Sequence, residues 1–265
     1  MNNKHDMIFL LPCFSGGGAE RVTINLLIGL HNLNYNVGII VFNKSGPLLS
    51  MLSNNIPISD LERHTLKSSI VPLIRQLRRL NPKVIFSTLG YINVLILAMR
   101  WFLPKKIKIW IREANIPSIS LPNNNRPKIM AFLYKMLYNK SDKLICTSTR
   151  MKDEFILNFL VPESIIEILP NPVDVKVIRD SILTVERFDK GGVSYITAGR
   201  LVYQKGFDRL LYWFSKLNDR QSTLTILGEG VLKNELMRES ELLGLTDRVN
   251  FLGFCNNPWQ WYAGA

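Results

Sequence analysis

Residues 195–211 read YITAGRLVYQKGFDRLL. An apolar start, Tyr195 and Ile196, runs through Thr197 and Ala198 to Gly199. Two cations, Arg200 and Lys205, then flank a short loop that ends at Gly206, beyond which apolar residues recur at helical spacing. The order is strand, basic loop, helix. In an open parallel sheet, the loop leaving a strand's C-terminal end lies in the crevice where ligands bind, and a helix N-terminus beside fixed cations suits a phosphate. The stretch reads equally well as a surface connection with two solvated charges, and taken alone it does not separate the two.

Working outward, the same alternation fills the chain. Toward the C-terminus, strands are expected at 193–197, 222–227 and 248–252, with helices at 206–217 and 231–243 between them. Toward the N-terminus, the apolar runs 7–11, 37–42, 83–86, 108–111 and 143–147 read as strands, with a short one at 56–61. Helical periodicity marks 20–33, 70–80, 91–102, 129–138 and 150–159; the second of these sets Arg75, Arg78 and Arg79 opposite its apolar face. Strands alternating with helices at this spacing predict an α/β fold of parallel sheets with helices on both faces. Pro170 and Pro172 break regular structure, and Gly191-Gly192 opens the second set. The expected organisation is therefore a front domain over 1–175, a linker over 176–191 and a shorter second domain over 192–265.

At 47% apolar and 20% charged, the 265-residue chain is globular, not disordered. Its net charge of +12 is lodged in the front part: residues 1–178 hold 22 Lys and Arg against 11 Asp and Glu, residues 179–265 hold 11 against 10. Such a field favours anionic partners. Near Arg75–Arg79, Lys105, Lys106 and Lys108, the apolar residues Trp101, Phe102 and Leu103 suit an anionic membrane surface, with a solvated face as the default. The aromatics do not interleave with the cations as a base-stacking platform would, which argues against nucleic acid. Cys13, Cys146 and Cys255 form no pairing framework and read as reduced thiols of a cytosolic protein. The run 7–11 is followed by Pro12 and glycines, a first strand in preference to a signal peptide. The block 84–103 contains Ser87, Thr88, Gly90, Asn93 and Arg100, a strand and helix in preference to a membrane span.

Other strand ends carry candidate chemistry. Gly16, Gly17 and Gly18 follow the first strand, where bare backbone can approach a ligand, although neither the dinucleotide nor the P-loop spacing is met. A plain tight turn is the alternative. Glu229 and Gly230 follow the strand at 222–227, as a ligand loop or as a flexible one. Arg112, Glu113 and Asn115 follow a buried-looking strand, lining a cleft or forming a local ion pair. His5, His31 and His64 occupy no strand end where a general base is expected, and no metal spacing or nucleophile elbow occurs.

Taken together and in order, SGGGAERV at 15–22, NPVD at 171–174, AGRLVYQKGFDRLL at 198–211, LGEG at 227–230 and VNFLGF at 249–254 resemble the family 4 retaining glycosyltransferases of the GT-B fold. The resemblance runs over nearly the whole chain. It implies two Rossmann-like domains facing a cleft, the first binding a lipid-linked or saccharide acceptor and the second a nucleotide-sugar. By that likeness Arg200 and Lys205 are the cations that hold the donor pyrophosphate and neutralise the leaving nucleotide diphosphate. Gly16–Gly18 match the loop closing over donor phosphates and acceptor, Glu229 and Gly230 a loop bordering the nucleotide, and Phe254 the segment flanking the base. The resemblance further implies no bound metal or other cofactor, a role in bacterial capsule, exopolysaccharide or O-antigen assembly, and a cytoplasmic protein peripheral to the inner membrane face.

Two departures accompany it. The family's element with two glutamates eight positions apart would follow Ala265, so the second domain is expected to be incomplete, and a non-catalytic remnant keeping only acceptor-side or weak nucleotide binding is the alternative. Many relatives also place a histidine near the reacting sugar, and neither 87–93 nor 112–115 supplies one.

Overall fold

The computed structural model describes residues 5–173, 175–182, 191–255 and 257–265. It divides into two compact units, Met1–Pro172 and Val173–Ala265. Of the expected linker, residues 183–190 lie outside the described residues, as does Asp174 of the NPVD motif.

The first unit holds β1 (Met7–Leu11), α1 (Gly18–Asn32), β2 (Val37–Val41), β3 (Ile58–Asp60), α2 (Leu66–Leu80), β4 (Val84–Thr88), α3 (Gly90–Ala98), β5 (Lys108–Arg112), α4 (Pro117–Ser120), α5 (Pro127–Leu137), β6 (Lys143–Cys146), α6 (Thr149–Phe159) and β7 (Ile166–Ile168). The strands form one parallel sheet in the order β3-β2-β1-β4-β5-β6-β7. The order reverses beside β1, so the β1 and β4 ends flank a topological switch point. The β1, β2 and β4 strands are almost wholly buried, as expected of parallel strands covered on both faces. One face packs Ile8, Leu10, Ile85 and Ile109 beneath α2, α3, α5 and α6, through Leu73, Ile92, Tyr134 and Phe155. The other packs Phe9, Leu11, Ile39 and Val41 against Ile24 and Leu27 of α1. Each such fully buried aliphatic side chain contributes about 1.5–3 kcal/mol.

Local signals set the helix ends. Thr65 caps α2 by accepting from the Ser68 N–H at 3.2 Å, and Ser148 caps α6 by accepting from Met151 N–H at 3.3 Å. The helix expected over 91–102 is instead α3 followed by a separate tight turn at Arg100–Phe102. Pro104 disfavours helix in the residue before it, and Arg100 turns back to donate to the carbonyls of Lys105 (3.3 Å) and Ile107.

The second unit holds α7 (Val175–Asp180), β8 (Ser194–Ala198), α8 (Phe207–Ser215), β9 (Thr223–Leu227), α9 (Lys233–Leu242), β10 (Val249–Gly253) and α10 (Trp259–Gly264). Its described strands form a parallel sheet ordered β10-β9-β8. Leu211 and Phe214 of α8, Leu236 of α9, and Leu224, Ile226 and Val249 from the sheet make a separate core. The fold class expected from the sequence is the one found: α/β, with two Rossmann-like units of which the second is the smaller.

Candidate functional site

In the second unit three strand-end loops are bound to one another through backbone. Gly199 N–H donates to Leu227 O at 2.9 Å, Leu201 N–H to Glu229 O at 2.9 Å, Leu232 N–H to Leu201 O at 3.1 Å and Gly228 N–H to Gly253 O at 2.7 Å. Glycine is required where they touch. A Cβ at Gly228, whose φ is +149°, would collide with Gly199 O, and one at Gly230 with Leu201 O. On this rigid base the chain makes a tight turn at Tyr203–Lys205, enters the left-handed region at Gly206 (φ +69°) and begins α8. Arg200 and Lys205 project from it, both exposed, with no side-chain hydrogen bond or ion pair to another described residue. Glu229 is already neutralised by Lys233 at 2.7 Å, so the loop cluster presents an excess of positive charge. Phe254 follows β10 and is half exposed.

In the first unit the glycine loop is pinned by the loop after β2. Phe42 and Asn43 N–H donate to Pro12 O at 3.1 and 3.0 Å, Phe14 N–H to Ser45 O at 2.7 Å, and Leu48 N–H to Phe14 O at 3.1 Å. Gly46 (φ +118°) makes this approach possible, since a Cβ there would strike Phe14 O. Ser15 donates to Glu20 Oε1 at 2.7 Å, and the Glu20 carboxylate folds over Gly17, leaving no space for a Cβ. Around Gly18 there is open space. A carboxylate in the first turn is well placed against the helix dipole. It also changes what the loop can bind: an incoming phosphate meets negative charge, whereas a ligand hydroxyl meets an acceptor. Tyr91, at the start of α3, lies near enough to Glu20 and Cys13 that, after burial, their charges help push its phenol up to about 12.

Arg112, Glu113 and Asn115 are separated by the fold. Successive strand residues point to opposite faces, and Arg112 and Glu113 leave β5 that way, only 1% and 4% exposed. Arg112 donates to Asn171 Oδ1 and, at 3.4 Å, to Thr88 Oγ1, tying β5 to the segment that leaves the unit; burial lowers its pKa. Glu113 accepts from Tyr138 and from Asn93 Nδ2 at 2.7 Å, with Tyr134 stacked on Tyr138 at 4.2 Å between ring centroids. Burial lifts its carboxyl to about 7 against the opposing pull of the hydrogen bonds from Tyr138, Asn93 and Tyr134 and of the Arg112 charge. Gly90 is needed here because a Cβ would meet the Tyr134 hydroxyl. Asn115 is exposed on the following loop.

Residues 16–177 match the family model described as Glycosyltransferase Family 4, and residues 179–265 match Glycosyl transferases group 1. The chain belongs to glycosyltransferase family 4. A similar relative, 31% identical over 265 residues, is the N-acetylgalactosamine-N,N'-diacetylbacillosaminyl-diphospho-undecaprenol 4-alpha-N-acetylgalactosaminyltransferase of Campylobacter jejuni; the match covers 93% of this chain and 69% of the relative. An uncharacterized glycosyltransferase of Methanocaldococcus jannaschii is 28% identical over 164 residues, covering 58% and 39%. Among solved structures, HepE of Anabaena in complex with UDP-glucose (TM-score 0.77, 16% identity, 98% of this chain and 71% of that one) and sucrose-phosphate synthase of Thermosynechococcus elongatus (0.77, 14%, 98% and 74%) share the fold.

Sequence reasoning missed the parts of this family 4 chain that support its loops. Gly46 had a signal in the Gly-Pro pair at 46–47. Asn93, Tyr134 and Tyr138 had none, because they reach Glu113 only through packing of α3 and α5 onto β5.

Proposed function

We propose that this family 4 glycosyltransferase moves a sugar from a nucleotide-sugar to a lipid-linked or saccharide acceptor with retention at the anomeric carbon, in bacterial surface polysaccharide assembly. The observation that carries the reading is the pair Arg200 and Lys205, exposed and uncompensated on a loop cluster locked by four backbone hydrogen bonds. Fixed cations are what a departing nucleotide diphosphate needs, since charge accumulates on its oxygens as the glycosidic bond breaks and a preorganised donor has no reorganisation to undergo. The acceptor hydroxyl enters on the face the phosphate leaves. Glu229 and Gly230 border the nucleotide and Phe254 flanks its base. The acceptor belongs to the first unit, where the Ser15–Glu20 pair and the open space at Gly18 offer hydrogen-bonding partners for hydroxyls. The undecaprenyl-linked substrate in the Campylobacter relative's name supports a polyprenyl-diphosphate acceptor and makes UDP-N-acetylgalactosamine the first donor to test.

The test is release of nucleotide diphosphate from a panel of nucleotide-sugars in the presence of polyprenyl-diphosphate glycans. Arg200→Ala and Lys205→Ala are each expected to lower kcat/KM by about 10²–10³, as loss of one charge-stabilising donor does elsewhere. Near-wild-type values in both variants would overturn the pyrophosphate assignment, and a folded chain that turns over no donor would favour the remnant.

A further inference from the structure

Arg112 stands in the first unit without a counter-charge. A guanidinium keeps its proton at any ordinary pH, the residue is only 1% exposed, and among the described residues no carboxylate forms an ion pair with it. Buried charges are as a rule paired, and one left without a partner costs folding free energy. Glu113 is the acid whose charge registers on Arg112. Its carboxyl, however, lies on the other face of β5, engaged by Tyr138 and Asn93.

The groups that do hold the guanidinium are neutral. Nη1 donates to Thr88 Oγ1 at 3.4 Å and Nη2 to Asn171 Oδ1, and the remaining N–H groups meet no acceptor among the described residues. Asn171 is a loosely held cover. It is exposed, it stands between Pro170 and Pro172, which have no N–H, and its own backbone makes no hydrogen bond to a described residue. Leu169 N–H to Cys146 O, at 2.8 Å, is the last backbone bond before it. Among the described residues the Asn171 side chain is therefore the one polar tie between residues 170–172 and the sheet. On the other side, Thr88 runs into Leu89, whose φ of +80° with ψ of 118° is a conformation that a residue with a side chain rarely adopts. Backbone strain of this kind clusters where ligands are held.

We propose that Arg112, Thr88 and Asn171 form a site for a phosphate-class oxyanion, which displaces the Asn171 amide from the guanidinium and supplies the missing counter-charge. The planar fork of N–H groups matches phosphate oxygens, the Thr88 hydroxyl donates its own proton to the ligand, and the neutral partners leave the whole charge of Arg112 to it. Displacement unties residues 170–172, where the chain leaves the first unit, so occupancy of the site and freedom of that segment are coupled. The site is separate from Arg200 and Lys205, which belong to the second unit. Two sources carry this chemistry: free inorganic phosphate or diphosphate, and the diphosphate of a polyprenyl-linked acceptor. Only the second rests on the acceptor reading above.

The experiment is calorimetric titration of the full chain carrying Arg200→Ala and Lys205→Ala, which silences the donor-side cations, with sodium phosphate and then sodium diphosphate at constant ionic strength. Saturable binding of both anions is expected. Adding Asn171→Asp places a carboxylate on the guanidinium; it should raise Tm, because the buried charge is now paired, and weaken phosphate binding at least about tenfold. Adding Asn171→Ala instead removes the group that the anion must displace and should tighten binding about tenfold, the worth of one hydrogen bond to a charged group. Both changes fall on an exposed side chain, so the variants keep the fold, which circular dichroism checks. Farnesyl diphosphate, with farnesol as the control for its chain, separates the sources: displacement of phosphate at concentrations about tenfold below those of inorganic diphosphate assigns the anion to an acceptor, and equal concentrations assign it to a free ion. No binding, an Asn171→Asp chain that binds phosphate as well as its parent or is no more stable, or an Asn171→Ala chain that binds no more tightly would each overturn the proposal. The titration contains no sugar donor and lacks the donor-side cations, so its failure and a failure of glycosyl transfer are separate results.

Discussion

Glu113 holds its proton to about pH 7 because burial penalises the carboxylate more than its partners reward it. The unfolded chain releases the same proton near the ordinary 4.5. The folded state therefore binds the proton more tightly, and the stability that neutral Glu113 contributes is whole below about pH 4.5 and is lost as pH rises through 7. The loss across that window is on the order of 3 kcal/mol. Glu113→Gln keeps an acceptor for Tyr138 and Asn93 but does not titrate, so its urea midpoint should change less between pH 5 and pH 7.5 than the wild type's; parallel curves would show that another group governs the window. Gly18 offers a second residue-scale test. With open space around it and a helical backbone, Gly18→Ala should leave stability unchanged or raise it by up to about 1 kcal/mol. If the glycine loop approaches a bound ligand, the same variant should lose kcat/KM while gaining Tm.

At the scale of elements, the donor-side loops act as one object. The loops leaving β8, β9 and β10 are joined by backbone hydrogen bonds at Gly199, Leu201 and Gly228, and glycines allow the contacts. Gly230→Ala should destabilise the second unit by about 1–3 kcal/mol, because its Cβ meets backbone that no side-chain rotation can move. Hydrogen exchange at Leu201 and Leu232, whose amides close the cluster, would report it. Unchanged protection there would mean that the loops are not coupled as described. The sequence showed each loop at its strand end because a strand's apolar run stops visibly at a glycine. That the loops bind one another was not legible, since the Gly199 N–H reaches Leu227 O, 28 positions on, through a sheet register that no local pattern encodes.

For the whole molecule, the two units differ in how much core each can build. The first has two buried clusters on opposite faces of seven strands, the second one cluster on three described strands. Smaller cores leave less margin over chain entropy. In a urea series followed by hydrogen exchange, amides of β9 should lose protection at lower urea than those of β1 and β4. Loss at a common urea concentration would show that the units unfold as one.

Sequence by itself determined the alternation of strands and helices, the two sets they fall into, the strand-end positions of Arg200, Lys205, the glycines and Glu229, and the family. Those features rest on periodicity and on glycine and proline, which act within a few residues of where they stand. Only the tertiary structure decided that Arg112 and Glu113 part to opposite faces, that Asn93, Tyr134 and Tyr138 converge on a carboxyl whose proton burial holds against their pull, and that Glu20 occupies the glycine loop. These depend on which residues far apart in sequence meet when a sheet is paired and its helices are laid down. Burial and charge take their values from that meeting.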